Sequence, residues 1–145
     1  MRDWCGVFAM SLSMQIRPTD IAAFRQSLNV ATQRVIRIAD SGLDDASSRA
    51  FALAQAKTPR VTGALIESGQ LSSHNAGDLL QRTISYGNHV VNPITGEPTS
   101  KYAPRVHEIY NPMHSRSYKW LEFAVRNYGK ERFMHDLAAS IKSAL

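Results

Sequence analysis

Between Pro18 and Pro59 the chain runs for forty residues with no proline and a single glycine, Gly42. In the first half of this run Ile21, Phe24, Leu28, Ala31, Val35 and Ile38 recur at spacings of three, four, three, four and three. That is the 3.6-residue period of a helix with one apolar stripe. Thr19 can cap its start, and twenty such residues make roughly 30 Å of helix. Gly42 leaves two readings open, one long helix or a pair, with Asp44 or Asp45 in the first turn of the second. Ala46, Ala50, Leu53 and Ala54 carry the pattern to Thr58, where Pro59 forces an ending. The small residues in this second half favour close packing against another helix.

Beyond Pro59 the period changes. Arg60 to Leu65 reads as a turn that leads into Leu65 to Ser73, a polar, β-tolerant segment in which Leu65 begins the buried face of a sheet. Asn75-Ala76-Gly77-Asp78 is a connecting turn. Leu79 to Tyr86 is a second strand, with Leu80, Arg82, Ile84 and Tyr86 at alternate positions. Upstream of the helix, Ser11 to Arg17 alternates as a short strand, with Leu12, Met14 and Ile16 on one side. Asn88 to Lys101 holds two prolines and a glycine and reads as an exposed loop. Tyr102 to Tyr110 returns to apolar and aromatic residues, and Asn111 to Ser117 is another loop. Ser117 can cap a short helix through Trp120, Leu121, Ala124 and Val125. Lys130 to Leu145 closes the chain as a helix with Phe133, Leu137, Ile141 and Leu145 spaced four apart. The expected class is α+β: a long N-terminal amphipathic helix or helix pair packed on a small antiparallel β-sheet, with C-terminal helices. Residues 1–10 are expected to be a flexible tail and residues 11–145 a single domain.

Composition narrows the function classes. At 145 residues the chain is about one domain long, large enough for a core without disulfide or metal staples. Its one cysteine, Cys5, permits no internal disulfide and fits a reducing compartment. No apolar run is long enough to span a membrane. Seventeen Lys and Arg against twelve Asp and Glu give a net charge of +5, which suits nucleic acid, an acidic protein or plain solubility alike. The basic residues are scattered and form no run of five.

Enzymatic motifs fare poorly. His107-Glu108 and His114 are the most tempting group, but a zinc-protease site needs its histidines one helical turn apart, and here seven residues and Pro112 intervene. A hydrogen-bonded His107–Glu108 pair at a loop junction is the simpler reading. Ser68 lacks the first glycine of a nucleophile elbow, and Gly63, Gly69 and Gly77 lead into no phosphate-binding Lys-Ser/Thr. The expectation is therefore no enzyme, no cofactor and no metal. Arg82, Tyr86, Arg105, Tyr110, Arg116, Tyr118 and Lys119 interleave cations with aromatics, as a single-stranded nucleic-acid surface would. A protein interface favours the same residue types.

Three segments carry a family resemblance. Ala56-Lys57-Thr58-Pro59-Arg60-Val61-Thr62-Gly63-Ala64-Leu65-Ile66-Glu67-Ser68 resembles the Ala-x-x-Pro-x-x-Thr-Gly-x-Leu-x-x-Ser signature of a minor tail protein family of tailed bacteriophages and prophages. Tyr102-Ala103-Pro104-Arg105-Val106-His107-Glu108 is similar to that family's Tyr-Ala-x-x-Val-His/Glu-Glu segment. Tyr118-Lys119-Trp120-Leu121-Glu122-Phe123-Ala124 resembles its Lys-Phe-Leu-x-x-Ala entry to the closing helices. The order is the same and the resemblance covers about residues 12–145. Where many members follow the glutamate with an aromatic, Gly and Thr, this chain has Ile109-Tyr110-Asn111-Pro112.

The resemblance implies a structural virion protein of the head–tail junction or tail end: a neck, tail-completion or tail-terminator subunit. Its partners would be copies of itself in a ring and neighbouring neck, connector or tail-tube proteins. DNA would pass through the ring without specific binding, and no membrane is involved. The motif positions, Pro59, Thr62, Gly63, Leu65, Tyr102, Ala103, Val106, His107, Glu108, Lys119, Trp120, Leu121 and Ala124, then specify a corner of the fold and not a reaction. Candidate subunit contacts are Asn92, Pro93 and Ile94 in the first loop and Tyr110, His114, Arg116 and Tyr118 in the second. The location would be the virion, with the host cytoplasm before assembly. The alternative is a basic nucleic-acid-associated protein, which a steep salt dependence of DNA affinity would reveal.

Overall fold

The computed structural model describes residues 17–77, 79–109, 118–128 and 130–144. They form α1 (Pro18–Lys57), α2 (Ala64–Glu67), β1 (Gln70–Ala76), β2 (Leu79–Ser85), α3 (Thr99–Glu108), α4 (Trp120–Asn127) and α5 (Lys130–Ala144). The class is α+β, as expected, with a two-stranded antiparallel sheet. The strand expected over Ser11 to Arg17 and the N-terminal tail lie outside the described residues, Arg17 excepted. Internal contacts divide the chain into two compact units, one ending at Arg34 and the other running from Val35 to Leu145.

The first unit contains the N-terminal half of α1. Pro18 sits at the first helical position, where its missing N–H is no loss. The Arg17 N–H donates to the Asp20 carboxylate at 3.1 Å, so Arg17 occupies the cap position and Thr19 lies inside the first turn. Ile21, Phe24 and Leu28 form the expected stripe, yet all three are exposed, Phe24 to 64%. Their spacing states that this face can be buried; it does not supply the covering surface.

In the second unit α1 passes straight through Gly42, which settles the choice between one helix and two. The absent side chain there leaves room for Phe133 of α5, whose ring lies 3.5 Å from where a Cβ would stand. The helix ends at Lys57, before Pro59, and the Thr58 hydroxyl closes its last turn by donating to the Ala54 carbonyl at 2.7 Å. Gly63 then takes φ of +79°, a left-handed turn that a side chain would resist. The next residues correct the sequence reading. Ala64-Leu65-Ile66-Glu67 coil into α2 in place of a strand, and Leu65 is buried from that helix. Ala, Leu and Glu are strong helix formers, and the Glu67 and Ser68 N–H groups close the turn on the Gly63 and Ala64 carbonyls, each at 3.0 Å.

The sheet therefore begins only at Gln70. β1 and β2 pair antiparallel from Gln70↔Ser85 to Ala76↔Leu79, with Gly77 in the turn at φ +57°. Leu80, Arg82 and Ile84 are half-buried at alternate positions, as their spacing predicts. Arg82 does more than pack. Its guanidinium engages the carboxylates of Asp40 and Asp44 on α1 and donates to the Asn75 side-chain oxygen at 2.8 Å, and its side chain is 5% exposed. This tie clamps the hairpin to the helix.

The Arg82 hydrogen bond holds the Asp44 carboxyl below its ordinary value of 3.8. A carboxyl depressed in the folded state stabilises fully above its unfolded value, and that contribution is lost as pH falls through the folded one. The expected result follows. Arg82→Gln lowers the urea midpoint at neutral pH, and its difference from the unaltered protein shrinks as pH drops below the ordinary carboxylate range. A difference that stayed constant down to strong acid would remove the tie from the account.

After β2 the segment expected to be a loop from Asn88 to Lys101 is shorter and more ordered. Val91 bridges Pro98 in antiparallel fashion, and α3 starts at Thr99, so Ser100 and Lys101 are helical. Tyr102 to Glu108 belong to α3 as well, with Pro104 inside it. α4 starts from Lys119, which adopts φ of +48° as its cap, in place of the expected Ser117, a residue outside those described. The Lys119 N–H donates to the His107 carbonyl at 3.0 Å, fastening the start of α4 to the end of α3. On α5, Phe133, Leu137 and Ile141 are half-buried, again as spaced, together with Ala144, while Leu145 lies outside the described residues. The core gathers Ala54, Leu65, Ala103, Trp120 and Ala124, ringed by Leu53, Tyr86, Tyr102, Val106 and Leu121.

Candidate functional site

The connection from α1 to α2, Leu65 of α2 and one face of α3 line an apolar groove of about 360 Å3. Pro59, Val61 and Thr62 form one wall and Leu65 reaches it from α2. Tyr102, Arg105, Val106 and Ile109 line the groove from α3 and its C-terminal end, and Asn92 and Tyr118 complete the described lining. Local sequence builds each wall. Pro59 stops the helix and Gly63 turns the chain, which leaves Val61 at the apex, 77% exposed. Tyr102, Val106 and Ile109 are spaced four and three apart and so share one helical face.

The three segments singled out in the sequence meet here. Pro59, Thr62, Leu65, Tyr102 and Val106 line the groove, while Leu65, Ala103, Trp120 and Ala124 form the core behind it. Trp120 is held edge-on by Tyr86, with ring centres 5.8 Å apart, and by His107 at 4.7 Å. Leu121 packs at the margin of the same core. Gly63 supplies the turn and caps α2.

The His107 Nδ1 and a Glu108 carboxylate oxygen are 2.7 Å apart, at the C-terminal end of α3. Lys119 lies 3.9 Å from Glu108 and 3.2 Å from Glu122. The Lys119 ammonium, through its hydrogen bond, holds the Glu122 carboxyl below its ordinary range, and Glu122 in turn raises Lys119. The cluster thus pins the α3–α4 junction. His114 lies outside the described residues, and among those described no three metal-ligating side chains gather. Ser68 serves the fold, since its buried hydroxyl donates to the Leu65 carbonyl at 2.7 Å and accepts from the Gly87 N–H at 2.9 Å.

Of the expected contact residues, Tyr110, His114 and Arg116 lie outside the described residues. Asn92, Pro93 and Ile94 form a tight turn. The Asn92 side-chain oxygen accepts from the Ile94 N–H at 2.9 Å and the Thr95 N–H at 3.4 Å. Across the turn, the Asn92 N–H donates to the Glu97 carbonyl at 2.8 Å and the Gly96 N–H to the Asn92 carbonyl at 2.9 Å. Ile94 stands at its tip, 78% exposed. Val61, Arg105 and Ile109 were not among the expected contacts. The spacing of Tyr102, Val106 and Ile109 carried the signal, and Pro104 in their midst obscured it.

No protein-family model, curated protein or solved structure matches this chain.

Proposed function

We propose that this chain is a structural virion subunit of the head–tail junction or tail end, joining or capping a phage tail through protein–protein contacts in a ring. The observation that carries the reading is the meeting of the three resembling segments around one exposed apolar groove. A surface with this chemistry suits a protein partner: apolar walls, two tyrosines and one arginine. The rigid turn that presents Ile94 beside it supports the same reading. Residues on this surface bind and position; none is assigned a reaction.

The deciding experiment is deletion of the gene from a phage or prophage that carries it, with electron microscopy of the products. Full heads and finished tails should accumulate unjoined, and the protein should localise to the junction or tail end of complemented particles. Intact, infectious particles assembled without the protein would refute the proposal. Duplex-DNA affinity provides a second check. Each neutralised phosphate adds about 0.9 to the log–log salt slope, and a ring subunit that does not grip DNA specifically should give a shallow one.

A further inference from the structure

We infer that the groove receives the Asn92–Glu97 turn of a second copy of this chain, a contact that rests on the ring reading above. The donor is preformed. Two N–H groups bonded to the Asn92 side chain, the cross-turn bonds and the Val91–Pro98 bridge fix the turn before any partner arrives. Little ordering entropy is then left for association. Its tip is a branched apolar side chain, Ile94, in solvent. The receiving site is apolar, concave and, at about 360 Å3, roomy enough for that side chain and its neighbouring proline. Asn92 lines the groove of its own chain while Ile94 stays exposed. The turn therefore does not fill the groove it borders.

Charge selects the same pairing. Glu97 is the only charged residue in the turn, and Arg105 is the only charged one among the described residues that line the groove. Neither side chain has an ion-pair partner among the described residues, and a docked copy brings the two opposite charges together. Donor and receiver are different surfaces, which makes the contact head to tail, and such contacts form rings when the rotation closes. A stable interface covers about 800 Å2 per partner, more than one turn supplies. Closure answers this, because every copy then gives one turn and receives one.

The test uses the full chain with Cys5→Ser. Ile94→Cys is introduced in one preparation and Val61→Cys in a second with a different tag; the two are mixed and oxidised. A mixed-tag disulfide dimer is expected, with none when Ile94→Cys is mixed with Ser73→Cys on β1. Sedimentation velocity over a concentration series supplies the second arm. Ile94→Asp should weaken self-association roughly 10- to 100-fold. Glu97→Arg and Arg105→Glu should each weaken it, and the double exchange should restore it. Circular dichroism confirms that each variant is folded.

A protein that stays monomeric throughout overturns the inference, as does a disulfide that forms only within a single chain carrying both cysteines. Association indifferent to Ile94 and Glu97 overturns it as well and points to another face. The two levels separate cleanly. Rings that depend on Ile94 but are absent from particles would sink the virion reading alone. Particles that contain the protein without the Ile94–Val61 cross-link would sink the contact alone.

Discussion

Replacing Trp120 with alanine is expected to cost about 3–5 kcal/mol, which is a large part of the roughly 5–15 kcal/mol that holds a domain folded. Trp120 is 1% exposed and is the bulkiest fully buried side chain among the described residues. Tyr86 and His107 both meet it edge-on, and its neighbours Ala54, Ala103 and Ala124 are too small to collapse into the space it would leave. Chemical denaturation followed by far-ultraviolet circular dichroism is the measurement. Trp120→Phe, which keeps a ring in place, should lose clearly less. A variant Trp120→Ala that unfolds within about 1 kcal/mol of the unaltered protein would place the centre of the core elsewhere.

Gly87 is the second position at which a small change should be costly. It adopts φ of +93°, and an added Cβ would stand 3.2 Å from the Ser100 Cα and 3.3 Å from the Ala103 Cβ. Gly87→Ala therefore combines backbone strain with overpacking against α3, together about 2–4 kcal/mol. Gly63 provides the internal comparison. It too has a positive φ, +79°, but nothing lies within 4 Å of a Cβ there, so Gly63→Ala should cost only the backbone part, about 1–2 kcal/mol. Equal losses at the two positions would mean that α3 yields at Ser100 and the close approach carries no energy.

The parts of this fold that could be read from sequence are those where one local rule acts alone. Helix from Pro18 towards Pro59 follows from a long run without proline, though Gly42 leaves one helix or two open; its end follows from Pro59, the hairpin from alternation around a glycine turn, and α5 from spacing by four. The misreadings fall where two rules compete. Ala64 to Glu67 sits in a polar, turn-rich stretch, but its own helix propensity prevails once Gly63 has reversed the chain. α3 contains Pro104 and follows a proline-rich loop, so it reads as irregular; its one missing N–H is tolerated because Tyr102 and Val106 pack against the core.

The groove was harder still. Its walls come from segments far apart in the chain, Pro59 to Leu65 and Tyr102 to Ile109, and nothing in either segment says that they will meet. Ser68 and Arg82 illustrate the same limit from the polar side. The sequence excludes Ser68 from a nucleophile elbow without giving it a role, and sets Arg82 among cations that could contact nucleic acid. Their partners, Gly87 and Leu65 for one, Asp40 and Asp44 for the other, make them fasteners.

The buried apolar residues described are Ala50, Ala54, Ala64, Leu65, Ala103, Trp120 and Ala124. Five of the seven are alanines, and this has an evolutionary consequence. An interior filled by backbones in close approach limits side-chain size at each of those positions more strictly than it limits hydrophobicity. Relatives of this chain should therefore diverge freely over the helical surfaces while keeping Ala, Gly or Ser at positions 50, 54, 103 and 124. A large aliphatic residue at one of them should arrive together with a smaller residue in place of Trp120.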